Sequence, residues 1–228
     1  MTEISKQKNI FYYISLIISC LFHPVFITSY IFTTFLYYGN FVFQPFNNFE
    51  IQVKIVLLIV ASTALVPLLM FVFNTLILKG KIRKDDLFIP HSKDRFVPFM
   101  YTGIFYASLT YLLYTQLHFP VLLVFYVGII SACVLMTAIV SLFWKISAHA
   151  LALGAALMIF CLTYTVLPDE NLFYVIIGTI LISGIVLSSR LYLNAHKPSQ
   201  VYTGFMLGML IAAGGLYFLI LNLFSSSI

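Results

Sequence analysis

Long apolar runs alternate with short polar breaks along the whole chain. The runs cover residues 10–38, 53–78, 97–117, 119–143, 149–167, 172–193 and 201–224. Each is close to or above the roughly 20 residues a helix needs to cross the hydrocarbon core of a bilayer. None alternates apolar with polar positions as a lipid-facing strand does, which excludes a transmembrane β-barrel. Only His118-Phe119-Pro120 separates the third run from the fourth. The pattern therefore predicts seven spans, or six if one of these two lies at the interface. His23-Pro24 interrupts the first run and Pro67 the second. Proline removes a helical hydrogen bond, so a kink is expected at each. No internal repeat and no low-complexity linker divides the chain. Residues 1–228 are expected to form one domain, an all-α polytopic transmembrane helix bundle.

Composition agrees. Of 228 residues, 62% are hydrophobic and 8% charged, against about 45–50% and about 25% in soluble domains. The mean hydropathy is +1.05. Lys6 and Lys8 ahead of the first run imitate a secretory leader. The run is longer than the ~7–15 apolar residues of a leader and no small-residue cleavage site follows. It reads as the first span. Cys20, Cys133 and Cys161 lie inside apolar runs and read as small buried hydrophobes, not as a disulfide frame or metal site.

The charge pattern adds orientation. The net charge is +5, and the cations sit in breaks between spans, which fits anionic headgroups or an anionic substrate rather than nucleic acid. With seven spans, every Lys and Arg except Lys54 falls on one side, while Glu50, Asp169 and Glu170 fall on the other. The positive-inside rule then turns the N-terminus and the basic breaks to the cytoplasm. An integral protein of a bacterial-type inner membrane is expected. Small residues at helical spacing, Gly204 with Gly208 and Gly154 with Ala148, Ala152, Ala155 and Ala156, predict closely packed helices.

Three polar clusters fall on that cationic side. They are residues 79–98, Lys145-Ile146-Ser147-Ala148-His149, and Ser189-Arg190 through His196-Lys197 to Gln200. Two of them pair a histidine with a cation. Arginine offers a planar fork to phosphate oxygens, and histidine titrates near neutrality, so one ring can act neutral while another acts as an acid. Ser147 precedes a helix-forming run and is expected to cap it, leaving backbone N–H groups for an anion. His91 and His118 read as loop residues, and Lys145 and Lys197 as interfacial cations.

Ser189-Arg190, five residues and His196 resemble the third signature of the type-2 phosphatidic acid phosphatase superfamily of integral-membrane lipid phosphatases, Ser-Arg, five residues, His, three residues, Asp. Ile146-Ser147-Ala148-His149 is similar to its second signature, Pro-Ser-Gly-His. Lys93-Asp94-Arg95-Phe96-Val97-Pro98 stands nearest to the first, Lys, six residues, Arg-Pro, with Lys84 as a further cation. The resemblance implies that His196 is the nucleophile, that His149 protonates the leaving alkoxide, and that Arg190, Arg95 and Lys93 hold the phosphate with Ser147 and Ser189. Gln200 stands where the signature has aspartate. It is expected to hold the His196 ring without supplying charge, unless Asp85, Asp86 or Asp94 reaches in.

The function this implies is hydrolysis of a lipid phosphate or diphosphate, such as polyprenyl diphosphate, phosphatidylglycerophosphate or phosphatidic acid, through a phosphohistidine and without metal or cofactor. The expected partners are that substrate and membrane lipids, with no nucleic acid. A lipid phosphotransferase and a non-catalytic anionic-lipid binding or translocating protein are the alternatives. A transporter fits less well, because polar residues are scarce at mid-span and no inverted repeat is visible.

Overall fold

The computed structural model describes residues 9–69, 72 and 95–225, with side chains at Asn40 and beyond residue 219 left aside. Most of the described chain is helical. Its helices are α1 (Ile10–Leu21) and α2 (Pro24–Tyr38), α3 (Phe49–Leu69), and α4 (Phe96–Thr115), α5 (Val121–Ser141), α6 (Ala148–Val166), α7 (Glu170–Tyr192) and α8 (Pro198–Ser225). Six of them, α3 to α8, are each long and apolar enough to cross a membrane. The turn at His118 is tight, with a positive φ of 49°. It nevertheless joins two helices that are each long and apolar enough to cross a membrane. Large side chains such as Phe143, Tyr111 and Leu210 face outward, which is stable only against lipid. The chain is an integral membrane protein.

The first run is not one kinked helix. α1 and α2 meet at a 60° bend, where Phe22 ends one helix and His23 caps the next. At 1.5 Å per residue, α1 is about 18 Å long and α2 about 22 Å, so neither alone spans a ~30 Å core. Pro24 sits at the first helical position, where its missing N–H costs nothing, and so it starts α2 rather than bending a continuous helix. The buried residues of α1 are the serines Ser15 and Ser19, while Ile10, Phe11, Ile14, Ile17 and Leu21 are exposed. Such a helix turns its apolar side to lipid and its polar stripe to protein.

The second run carries a π turn at Ala61–Leu65, ahead of Pro67. Wider winding frees a carbonyl there, and the buried hydroxyl of Tyr106 donates to the carbonyl of Thr63. In the core, the rings of Phe35 and Tyr126 stack at 5.2 Å, and the Tyr126 hydroxyl meets that of Thr163 at 2.6 Å.

The pair that matters most for the site is α6 and α8. A Cβ on Gly208 would lie 2.0 Å from the Leu151 carbonyl oxygen, and one on Gly154 would lie 2.0 Å from that of Phe205. Only glycine permits this approach, as the spacing of small residues predicts. The backbone N–H of Ser147 also donates to the carbonyl of Gln200 at 3.3 Å. The break before α6 and the break before α8 are thereby locked side by side.

Candidate functional site

Alternating helices bring the start of α4, the α5–α6 break and the α7–α8 break to one end of the bundle. His149 lies in the first turn of α6, which Ser147 caps by accepting from the Ala150 N–H at 3.4 Å. Arg190 lies in the last turn of α7. His196 lies in the break between α7 and α8. Ser147 is 0% exposed, Arg190 6%, His196 7% and His149 8%. Arg95, at the start of α4, and Lys145 are half-buried.

A buried cation without a counter-charge costs several kcal/mol. The Nε of Arg190 is buried and has no hydrogen-bond partner among the described residues. The charge of Arg95 bears on Arg190, and both bear on Lys145 and His196. Burial, then Arg190, Arg95 and Lys145, push the His196 imidazole down to about 4, so the ring is neutral at physiological pH. Burial, then Arg95 and Arg190, pull the Lys145 amine down from its usual value. Burial does the same to Arg95. A cluster of cations that repel one another is the electrostatic signature of an anion site.

Hydrogen bonds select the ring nitrogens. A carbonyl only accepts, so a ring nitrogen facing one carries the proton. His196 Nδ1 lies 3.3 Å from the Lys145 carbonyl oxygen, which leaves the Nε2 lone pair free. His149 Nε2 lies 3.0 Å from the carbonyl oxygen of Ser19, at the end of α1, which leaves Nδ1 as its open position.

The expected residues divide. His149, His196, Arg190 and Arg95 converge, with Lys145 added to them. Gln200 corrects the expectation. Its side-chain oxygen accepts from the Lys197 N–H at 3.0 Å, so it serves as the third residue of α8 reaching back to cap the helix start. The hydrogen bond to His196 is not formed, and an uncharged main-chain carbonyl holds that ring instead. The Ser189 hydroxyl donates to the Ile185 carbonyl at 2.9 Å, within its own helix. Ser147 shapes the start of α6 with its hydroxyl turned to the cap. The Ser189 hydroxyl proton is thus committed, whereas Ser147 uses its oxygen as an acceptor. Lys93, Lys84, Asp85, Asp86 and Asp94 lie outside the described residues. The ring of His23 approaches that of His149, with centroids 5.5 Å apart. From the sequence, His23 reads first as part of a kink and second as a substrate contact.

An apolar groove of about 90 Å³ starts beside this cluster, lined by Pro24, Val25, Thr28, Ala148, Leu151 and Ala152 among others. A larger cavity of about 390 Å³, lined by Phe41, Tyr126, Leu162 and Leu216 among others, contains none of the site residues.

No curated protein and no solved structure matches the chain. A family model does: the PAP2 superfamily, over residues 137–223. The match runs from the end of α5 through α8 and so contains His149, Arg190 and His196 but not Arg95. The third-cluster spacing and those three residues fall within the matched stretch, and over that stretch the chain is similar to the type-2 phosphatidic acid phosphatase (PAP2) superfamily.

Proposed function

We propose that the protein is an integral-membrane phosphatase that hydrolyses a lipid phosphate or diphosphate through a phosphohistidine at His196. The observation that carries this reading is the buried guanidinium of Arg190, whose Nε has no partner among the described residues, set among Arg95, Lys145 and two histidines. A phosphate would supply negative charge and hydrogen-bond acceptors to that arrangement.

Phosphoryl transfer asks mainly for positioning and charge stabilisation. The free Nε2 lone pair of His196 attacks phosphorus, and the P–O bond to the lipid breaks. Arg190, Arg95 and Lys145 stabilise the charge on the phosphoryl oxygens, with Lys93 as a further cation. The His149 Nε2–H is tied to Ser19, so the proton for the leaving alkoxide comes from Nδ1 of the protonated ring. Neutral His149 then takes a proton from water as that water attacks phosphorus. The P–N bond breaks, and inorganic phosphate leaves with His196 restored. The apolar groove beside Ala148 lies where the chain of a lipid ester would run. By the positive-inside rule this end of the bundle faces the cytoplasm.

The test is phosphate release by the purified protein in detergent with a metal chelator present. The assay uses phosphatidic acid, phosphatidylglycerophosphate and a polyprenyl diphosphate separately. Release from at least one, abolished in Arg190→Ala, is expected. Binding of these lipids without release from any would instead favour the non-catalytic anionic-lipid protein, the reading that an uncharged partner for His196 supports. Dependence on added divalent metal would contradict the proposed chemistry.

A further inference from the structure

We propose that His23 is a third histidine of this site and contacts the substrate directly, donating its Nε2–H to an oxygen of the anion bound beside His149 and Arg190. The inference rests on the anion-site reading above and adds a residue from outside the matched stretch.

The argument begins with the local sequence. His23-Pro24 starts α2, with His23 as N-cap and Pro24 at the first helical position. Caps are mostly Ser, Thr, Asp or Asn, whose short side chains reach the first-turn N–H groups. Here the imidazole does that work: Nδ1 accepts from the Val25 N–H at 3.4 Å. An accepting nitrogen carries no proton, so in the neutral ring the proton sits on Nε2, at the far side from the helix. The cap therefore fixes a hydrogen-bond donor pointing away from the backbone.

The 60° break carries this donor to the reactive end of the bundle. The His23 ring stands edge-on to that of His149, with centroids 5.5 Å apart and planes at 84°. The charge of Arg190 acts on both rings. His149 is buried whereas the His23 residue is exposed. The apolar groove begins at Pro24, the next residue. A headgroup held by His23 would sit directly above the chain it carries.

Capping and ligand contact separate cleanly by substitution. Asn and Ser supply the capping acceptor but no imidazole donor. The experiment measures, for the full-length protein in detergent, the thermal unfolding midpoint and the affinity for orthovanadate, a phosphate analogue that adopts five-coordinate geometry. Wild type, His23→Asn and His23→Ser are compared. We expect the two variants to keep the wild-type midpoint without vanadate and to bind it about tenfold more weakly or worse, the loss of one hydrogen bond to a charged oxygen. Wild-type affinity in a stably folded variant would reduce His23 to a cap and overturn the proposal. So would a fall in midpoint in both variants, because the ring would then be a packing element. Failure of the wild type to bind vanadate would remove the anion site and this proposal with it. Binding that depends on His23, in a protein releasing no phosphate from any lipid, would sink the phosphatase reading alone.

Discussion

His196 turns its Nδ1 to the main-chain carbonyl of Lys145, 3.3 Å away, across the two breaks that the α6–α8 pair holds together. This one contact fixes the tautomer with an uncharged acceptor. The bond itself favours the imidazolium, but burial and the surrounding cations outweigh it. The ring therefore stays in its nucleophilic form down to low pH.

That has a measurable sign. An unfolded imidazole titrates near 6.5, whereas His196 titrates at about 4 in the folded protein, through burial and then Arg190, Arg95 and Lys145. Between those values the unfolded state binds more protons. Stability due to His196 is present above about pH 6.5 and is lost as pH falls toward 4. Unfolding midpoints of wild type and His196→Gln, followed from pH 7 to pH 4, should converge as the wild type loses more. Parallel curves would mean that His196 is not held neutral.

The α6–α8 seam sets the distance between the two histidines. Gly208→Ala would place a methyl 2.0 Å from the Leu151 carbonyl oxygen, and backbone cannot yield as a flexible side chain does. Overpacking of this kind costs about 1–3 kcal/mol. We expect a lower unfolding midpoint and loss of most activity. Gly178→Ala, whose added methyl meets nothing within 4 Å, should be neutral or slightly stabilising. Equal behaviour of the two variants would contradict the packing account.

Gln200 separates a helix cap from a catalytic partner. Because its side chain accepts from the Lys197 N–H, Gln200→Ala should cost about 0.5–2 kcal/mol of stability, as loss of a cap does. Gln200→Glu should retain the cap. The pH profile of activity should not move in Gln200→Ala. A displaced profile at unchanged stability would restore Gln200 to the His196 ring.

How much of this the sequence discloses depends on the range of the interaction. Uninterrupted apolar length decides α3 to α8, because crossing lipid leaves few other conformations. Ser147 is legible as a cap from its place before a helix-forming run, and Gly154, Gly204 and Gly208 as a seam from their spacing. The cap formed by Gln200 also had a local signal, proline at the first helical position with glutamine two residues on. The signature that this stretch resembles ends in aspartate at that position, which points to the ring instead. His23-Pro24 likewise carries the mark of a helix start, which explains two helices better than one kinked one. What no local pattern contains is the meeting of His23 and His149, or of Ser19 and His149, 130 residues apart. Those contacts arise only when the broken first run folds against α6.

The most direct measurement is to trap the intermediate. Purified protein is mixed with a radiolabelled lipid phosphate that it turns over, quenched within the first turnover, and digested. The account predicts an acid-labile, alkali-stable label on the peptide containing His196. It also predicts no label and no turnover in His196→Ala, and label that builds up in His149→Ala when an activated aryl phosphate is the donor. Wild-type-like turnover in His196→Ala, or label on any other residue, would contradict it.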